Sequence, residues 1–384
     1  MVFFCENRIA HSSPFSDSTE KSIGIMKLVM TCVLDMLANL TKSDEIYYFC
    51  QVLINTPILM ALEVVLGIDI GGTYTKIGLV DRSGSIHFED EISTRGYDTV
   101  EEFIHALHAH VMQSIEQLET SFLLLGIGVG APNGNYYKGT IENAPNLAWK
   151  GKIEFVKLME KQFHLPILVT NDANAAALGE MLFGGAGDLK NFVMITLGTG
   201  LGSGLVVNGD LIYGNDGFAG ELGHVLVYDH GRQCGCGKRG CLETYVSATG
   251  IKRTVFELLA EENIKSDFRK IPFSKLKPKM ISALAEAGDP IAIKAFEKTG
   301  YLLGRALADT VAHISPARIF LFGGLAKAGK WIIDPAKRSM EEHLLPIYRD
   351  KIDIVPSALL KKNIAVLGAA ALIWKRLDKK NGNY

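Results

Sequence analysis

The sequence has no surplus of charge of either sign. Its 384 residues carry 40 basic and 42 acidic side chains, a net charge of −2, which gives no electrostatic ground for general binding to nucleic acid or to an acidic membrane. A clean apolar run of membrane length is also missing. The stretch SIGIMKLVMTCVLDMLANL is interrupted by Lys27 and Asp35, so it is too short and too broken for a membrane span. It also lacks the basic start and small-residue cleavage site of a signal peptide. Two nucleotide-binding signatures are absent as well. Neither G-x-x-x-x-G-K-[ST] nor G-x-G-x-x-G in a strand–helix–strand unit occurs, which argues against P-loop and dinucleotide-binding enzymes.

Glycine is nearly absent from the first sixty residues, where Gly24 stands alone, although the whole chain has 39. That segment holds Cys5, Cys32 and Cys50, and its four basic residues face six acidic ones. Met60 directly precedes ALEVVLGIDIGG, where a regular pattern begins. The expectation is an extension over 1–61 outside the fold, with Met60 as the true start and residues 1–59 as a leader or weakly ordered segment.

From Glu63 onward, strands and helices alternate, which makes this an α/β protein. VVLGIDI reads as a buried strand. TKIGLVD and SIHFEDEIST read as two more strands joined by a turn at Arg82–Gly84. Thr99 to Leu118 has helical spacing, with Phe103, Ile104, Leu107, Val111, Ile115 and Leu118 on one face. Further strands are expected in FLLLGIGVG, PILVTND and RIFLFGG, and a hairpin in NFVMITLGTGLGSGLVVNGDLI. Helices are expected in KIEFVKLMEKQF, ANAAALGEMLFG and NIAVLGAAALIWKRL. The strand–turn–glycine pattern of Val64–Gly84 recurs at Asn191–Gly209, which suggests two related domains sharing a ligand. The opening strands run together without helices between them, which counts against a single doubly wound sheet.

Three glycine turns each follow a buried strand: DIGGTYTK (Asp69–Lys76), LGTGLGSG (Leu197–Gly204) and FGGLAKAG (Phe322–Gly329). Glycines let backbone N–H groups approach phosphate oxygens. Threonine hydroxyls add donors, and a carboxylate such as Asp69 can hold Mg²⁺. Each turn alone is weak evidence; their joint order carries weight. His224, Cys234, Cys236 and Cys241 crowd into HVLVYDHGRQCGCGKRGCLE. Three thiolates and one imidazole suit a closed, structural Zn²⁺ site; the alternative is a loop of reduced thiols. Asp172 in VTNDANAAALGE sits where a strand meets a helix. It is a candidate base for accepting a hydroxyl proton, with an N-cap as the competing role.

DIGGTYTK, NDANAAALGE, GTGLGSGLVVNG, GELGH and the cysteine cluster together resemble the ROK family of sugar kinases, and within it the bacterial glucokinases. The family lies in the actin-like/hexokinase ATPase superfamily, and the match runs from about Val64 to the end. The resemblance implies a two-domain actin-like ATPase (ribonuclease H-like) fold with an interdomain cleft. A small α/β domain would span 62–170 plus about 362–384, and a large one with the zinc loop 171–361. It implies phosphorylation of a hexose at the 6-hydroxyl by ATP with Mg²⁺, glucose first, with Asp172 as general base and a structural Zn²⁺ on the His–Cys₃ cluster. Gly134, Asn146, Asn171, Asp172, Glu221, His224 and Glu243 would bind the sugar. Asp69, Gly71, Gly72, Thr73, Thr75, Lys76, Thr199, Gly200, Gly323 and Gly324 would bind ATP.

Without the resemblance, Glu221 and Glu243 read as solvated loop carboxylates, and Trp149 reads equally as core or sugar platform. The competing functions are a kinase for N-acetylmannosamine, N-acetylglucosamine, fructose or allose, and a sugar-responsive ROK repressor. The acidic extension offers no basic recognition helix for DNA. The family also implies a homo-oligomer, dimer or tetramer; a cytoplasmic protein without a membrane or nucleic-acid partner is expected, the latter from the charge balance.

Overall fold

The computed structural model describes residues 61–380; the expected extension and the start at Met60 lie outside the described residues. Strand β1 (Leu62–Ile70) is the first apolar run, buried from Val64 to Ile68. It opens an antiparallel meander with β2 (Tyr74–Asp81) and β3 (Ile86–Ser93). The turn expected at Arg82–Gly84 is held by the Asp81 carboxylate, which accepts the N–H groups of Ser83 (2.8 Å) and Ser85 (3.0 Å). Strands β4 (Phe122–Gly130) and β8 (Ile167–Thr170) extend this sheet in parallel, in the order β3-β2-β1-β4-β8. Between them, β5 (Gly134–Asn135), β6 (Thr140–Glu142) and β7 (Lys152–Ile153) form a small separate sheet.

A second sheet repeats the plan. Strands β9 (Phe192–Leu197), β10 (Leu201–Val207) and β11 (Asp210–Leu211) form the meander. Strands β12 (Arg318–Phe322) and β13 (Asp353–Pro356) add in parallel beside β9. The order β11-β10-β9-β12-β13 matches the first sheet strand for strand, so the sequence repeat is a repeat of topology. β13 was not foreseen. Of its four residues only Ile354 is fully buried, so no apolar run marks it.

Helices α1 (Val100–Glu116) and α2 (Phe155–Phe163) cover the outer face of the first sheet. Thr99 starts α1 in a capping box with Glu102, and the helix ends at Glu116, two residues inside the expected span. Phe103, Leu107, Phe155 and Met159 pack there with Val64, Leu66 and Ile68. Trp149 belongs to this core, its ring 4.9 Å from that of Phe103, so of its two readings the structure selects core. Helix α3 (Asp172–Phe183) leads into the second sheet. That sheet's outer face is covered by α4 (Ala248–Glu261), α5 (Pro278–Glu286), α6 (Pro290–Ile314) and α7 (Lys330–His343).

The last helix, α8 (Ile364–Lys380), returns to the first sheet and packs with α3 in the layer between the two sheets. Glycines make this possible: α8 lays the Ala369 carbonyl on Gly128 and the Val366 carbonyl on Gly67, where a side chain would collide with backbone. Among the described residues, no helix is long and apolar enough to cross a membrane.

Candidate active site

The carboxyl ends of β1, β4 and β8 lie side by side, with Asp69 opposite Gly130 and Gly130 opposite Thr170. This edge is where open α/β sheets bind ligands. Asn171 and Asp172 follow Thr170 directly. Asn171 is the N-cap of α3, and its Oδ1 accepts the Ala173 N–H at 2.8 Å. The cap competing for Asp172 is therefore filled by its neighbour. Asp172 Oδ1 shares the same N–H at 2.8 Å, and its other oxygen has no such bond. A β-carbon built on Gly130 would lie 3.8 Å from both Asp172 Cα and Asp69 Oδ1, so this glycine separates the two acids.

Asp172 is reached by solvent yet closely surrounded by protein, as a side chain on a cleft floor must be, and this burial holds its carboxyl above the ordinary range. Asp69 is pushed up to about 6, first by burial and then by the Asp172 charge, against a smaller opposing effect of Lys76. Two carboxylates resisting ionisation in one cleft mark a site built for a cation or a proton transfer.

Helix α3 joins this edge to the second sheet. Gly202 on β10 packs against the Ala173 methyl group, 2.8 Å from the position of its missing β-carbon. One residue upstream, the Leu201 N–H donates to Glu243 Oε2 at 3.1 Å, and the same carboxylate lies on Gly200. Glu221 is exposed at the mouth. Burial raises its carboxyl, as do Asp172 and Glu243, whereas His224 lowers it. His224 Nε2 stands 3.9 Å from Glu221 Oε2, while its Nδ1 faces Cys234 Sγ at 3.7 Å. The ring thus turns one nitrogen to the cysteines and the other to the cleft.

The His224, Cys234, Cys236 and Cys241 ligand atoms lie within 4.8 Å of one another. Cys236 and Cys241 sulfurs are 3.7 Å apart. A tetrahedral centre with Zn–S bonds of about 2.3 Å needs an S···S edge of about 3.8 Å, so the cluster fits Zn²⁺ in donor type and size. Burial is the first cause that pushes the Cys234 thiol up to about 12; a bound cation would hold such a thiol as thiolate.

The glycine turns follow β1, β9 and β12, and the structure corrects one residue of the first. Gly71 N–H closes its turn on the Tyr74 carbonyl (3.1 Å). Gly72 lies against Asn146, which brings an expected sugar residue beside the phosphate turn. Thr73 and Lys76 are exposed. Thr75 was expected among the phosphate donors, but strand alternation turns it inward. It is fully buried, with Oγ1 2.8 Å from Thr94 Oγ1. Thr199 and Gly324 are exposed at the ends of β9 and β12, which pair up to Thr196 and Phe322. Gly323 has φ +103° and rests on the Leu197 carbonyl. Gly134 is buried against the Thr170 carbonyl, where any side chain would strike backbone.

Three contributors gave no sequence signal: Arg95, whose Nε donates to the Gly72 carbonyl (3.0 Å); Asn135, fully buried and bonded to the Asp216 carbonyl (2.6 Å); and Arg232. Each acts through a long-range backbone contact that no local pattern announces.

Two sheets of one topology, with acids and glycine turns converging where they meet, define a two-lobed actin-like ATPase fold. The chain belongs to the ROK family, whose profile matches residues 65–376. It is 35% identical over 318 residues to a glucokinase of Halalkalibacterium halodurans, covering 80% of this chain and 94% of that one. The crystal structure of a ROK family glucokinase from Streptomyces griseus in complex with glucose and AMPPNP aligns with a TM-score of 0.68 at 32% identity, over 80% of this chain and 98% of that one. A ROK family transcriptional regulator described as a homolog of the E. coli MLC protein aligns with a TM-score of 0.75 at 28% identity, over 82% and 78%.

Proposed function

We propose that this protein is a hexokinase-type sugar kinase that transfers the terminal phosphoryl group of ATP to the 6-hydroxyl of glucose. The observation that carries this reading is the place of Asp172. It stands on the cleft floor between the glycine turn after β1 and the Glu221–His224–Glu243 cluster, beside a second carboxylate at Asp69. A carboxylate held above its ordinary pKa is matched to taking a hydroxyl proton near neutral pH.

In this reading Asp172 accepts the 6-hydroxyl proton as the oxygen attacks phosphorus. The Asn171 amide, whose oxygen is spent on the cap, keeps its N–H₂ for a sugar hydroxyl. Gly134 and Asn146 border the ring, and Glu221, His224 and Glu243 hold hydroxyls at the far end. Asp69, Gly71, Gly72, Thr73, Lys76, Thr199, Gly200, Gly323 and Gly324 cradle the nucleotide phosphates. Mg²⁺, held near Asp69, would supply charge neutralisation, the main need of phosphoryl transfer. Zn²⁺ on His224, Cys234, Cys236 and Cys241 would fix the loop and the tautomer of His224. Closure of the two lobes, 62–170 with about 362–384 and 171–361, excludes water that would otherwise take the phosphoryl group. The cytoplasm, which keeps thiols reduced, suits the cysteine cluster. Assembly as a dimer or tetramer belongs to the same reading and is read by sedimentation.

A coupled assay over a panel of hexoses with ATP tests the proposal. The expected result is the highest kcat/KM for glucose. A preference for N-acetylmannosamine, N-acetylglucosamine, fructose or allose would keep the chemistry and move the substrate. No turnover of any hexose, together with sugar-dependent binding to DNA in a gel shift, would make the protein a regulator.

A further inference from the structure

We infer that Arg232 is a positioning residue for the sugar side of the cleft, setting the reach of Glu243 from within the cysteine loop. This rests on the sugar-binding reading of Glu243. Arg232 lies between the first candidate metal ligand, His224, and the second, Cys234, yet its side chain turns away from them into the protein, only 9% exposed. A guanidinium has five N–H donors, and all five are engaged. Nε and Nη2 grip the two Glu257 oxygens at 2.7 and 2.6 Å. Nη2 also reaches Thr254 Oγ1 at 2.9 Å. Nη1 reaches the carbonyls of Thr244 (2.6 Å) and Gly250 (3.0 Å). The guanidinium lies 4.2 Å over the Tyr245 ring, and the Arg232 peptide N–H donates to the Tyr245 hydroxyl at 2.9 Å.

The bond to Thr244 gives the arrangement its meaning. Residues 241–244 form one tight turn in which the Thr244 N–H and hydroxyl both donate to the Cys241 carbonyl, at 3.0 and 2.7 Å. The turn therefore presents three functions: the Cys241 thiol to the metal cluster, the Glu243 carboxylate to the Leu201 N–H through Oε2 and to the Cys234 thiol at 3.5 Å through Oε1, and the Thr244 carbonyl to Arg232. A metal would hold one edge of this turn, and Arg232 holds the other against α4. With the second edge released, the turn can pivot about Cys241, and Glu243 leaves Leu201. Lysine cannot replace the fork, because an ammonium is a single point of charge.

Arg232→Lys tests this in the full chain, with Glu257→Gln as the milder second variant. Zinc content, melting temperature, steady-state kinetics and hydrogen exchange at the Leu201 amide are measured together. The expected result for Arg232→Lys is normal zinc content, a glucose KM raised about tenfold, with kcat and the ATP KM within about twofold, and faster exchange at Leu201. Glu257→Gln should move KM and exchange in the same direction by less. An unchanged glucose KM and unchanged Leu201 exchange in zinc-loaded variants would overturn the proposal. So would loss of activity that follows zinc loss in both variants, with the zinc-loaded fraction kinetically normal. If the wild type phosphorylates no glucose, the functional reading fails separately. The exchange rate at Leu201 then still decides whether Arg232 positions Glu243.

Discussion

The carboxylate of Glu243 rests on the α-carbon of Gly200 and accepts the next peptide N–H, that of Leu201, at 3.1 Å. One contact thus joins the turn expected to hold phosphate to the loop expected to hold sugar. Gly200→Ala places a methyl group where that carboxylate lies. Because Glu243 is a flexible side chain, it should swing away rather than unfold the protein. The expected outcome is a rise of about tenfold in the KM for both glucose and ATP with little change in melting temperature, read by initial-rate kinetics and thermal denaturation.

Asp172→Ala should lower kcat by about 10²–10⁴-fold, the usual worth of a positioned base. Glucose binding measured by calorimetry should persist and the circular dichroism spectrum should not change, because the N-cap of α3 is Asn171. Near-normal turnover in this variant would remove Asp172 from its role.

The two raised carboxyls set the pH dependence. Asp69 goes from 3.8 to about 6 on folding, and Asp172 moves in the same direction. A carboxyl raised on folding binds its proton more tightly in the folded state. Stability from Asp69 is therefore present at low pH and is lost as pH rises through about 6, and Asp172 acts in the same direction. Activity runs the other way, because the base must be ionised, so kcat/KM should fall as pH drops through an apparent pKa above the ordinary carboxylate range. Asp69→Asn should raise the melting temperature of the ligand-free protein at pH 7 and flatten its pH dependence. Denaturation scans at pH 5 and pH 7 check both signs.

Metal analysis of purified protein should find about one zinc per chain, bound by the four-ligand cluster. Removal by a chelator, or Cys241→Ser, should lower the melting temperature and raise the sugar KM. Zinc-free protein with full stability and a normal KM would reduce the cluster to thiols in a loop.

Gly128→Ala tests the central layer. Its β-carbon would meet the Ala369 carbonyl of α8, and backbone cannot yield as a side chain does. A loss of about 1–3 kcal/mol is expected, with KM for glucose unchanged, measured by denaturant unfolding and kinetics.

Much of this architecture could be read from local pattern. Asp69, Asp172 and the glycine turns were legible because each stands where a buried apolar run stops, a signal a few residues long. The His224–Cys241 spacing was legible because few other chemistries need three thiols and an imidazole so close together. Thr75 was misplaced because a motif gives residue types but not faces; strand alternation points it at Thr94. Strands β5, β6, β7 and β13 were invisible because none carries an apolar run as β8 does with Ile167–Val169. Arg95, Asn135 and Arg232 act on carbonyls 12 to 81 residues away, and no window along the chain contains both partners.

The return of α8 to Gly67 and Gly128 has a consequence for biosynthesis. Strands β1, β4 and β8 are complete by residue 170, but the helix that covers their inner face begins only at Ile364. While the ribosome is still making the second lobe, the first lobe carries an uncovered apolar surface. The nascent chain is thus exposed to chaperones and to aggregation until α8 emerges, and truncating α8 should reduce soluble yield well before it touches any catalytic group.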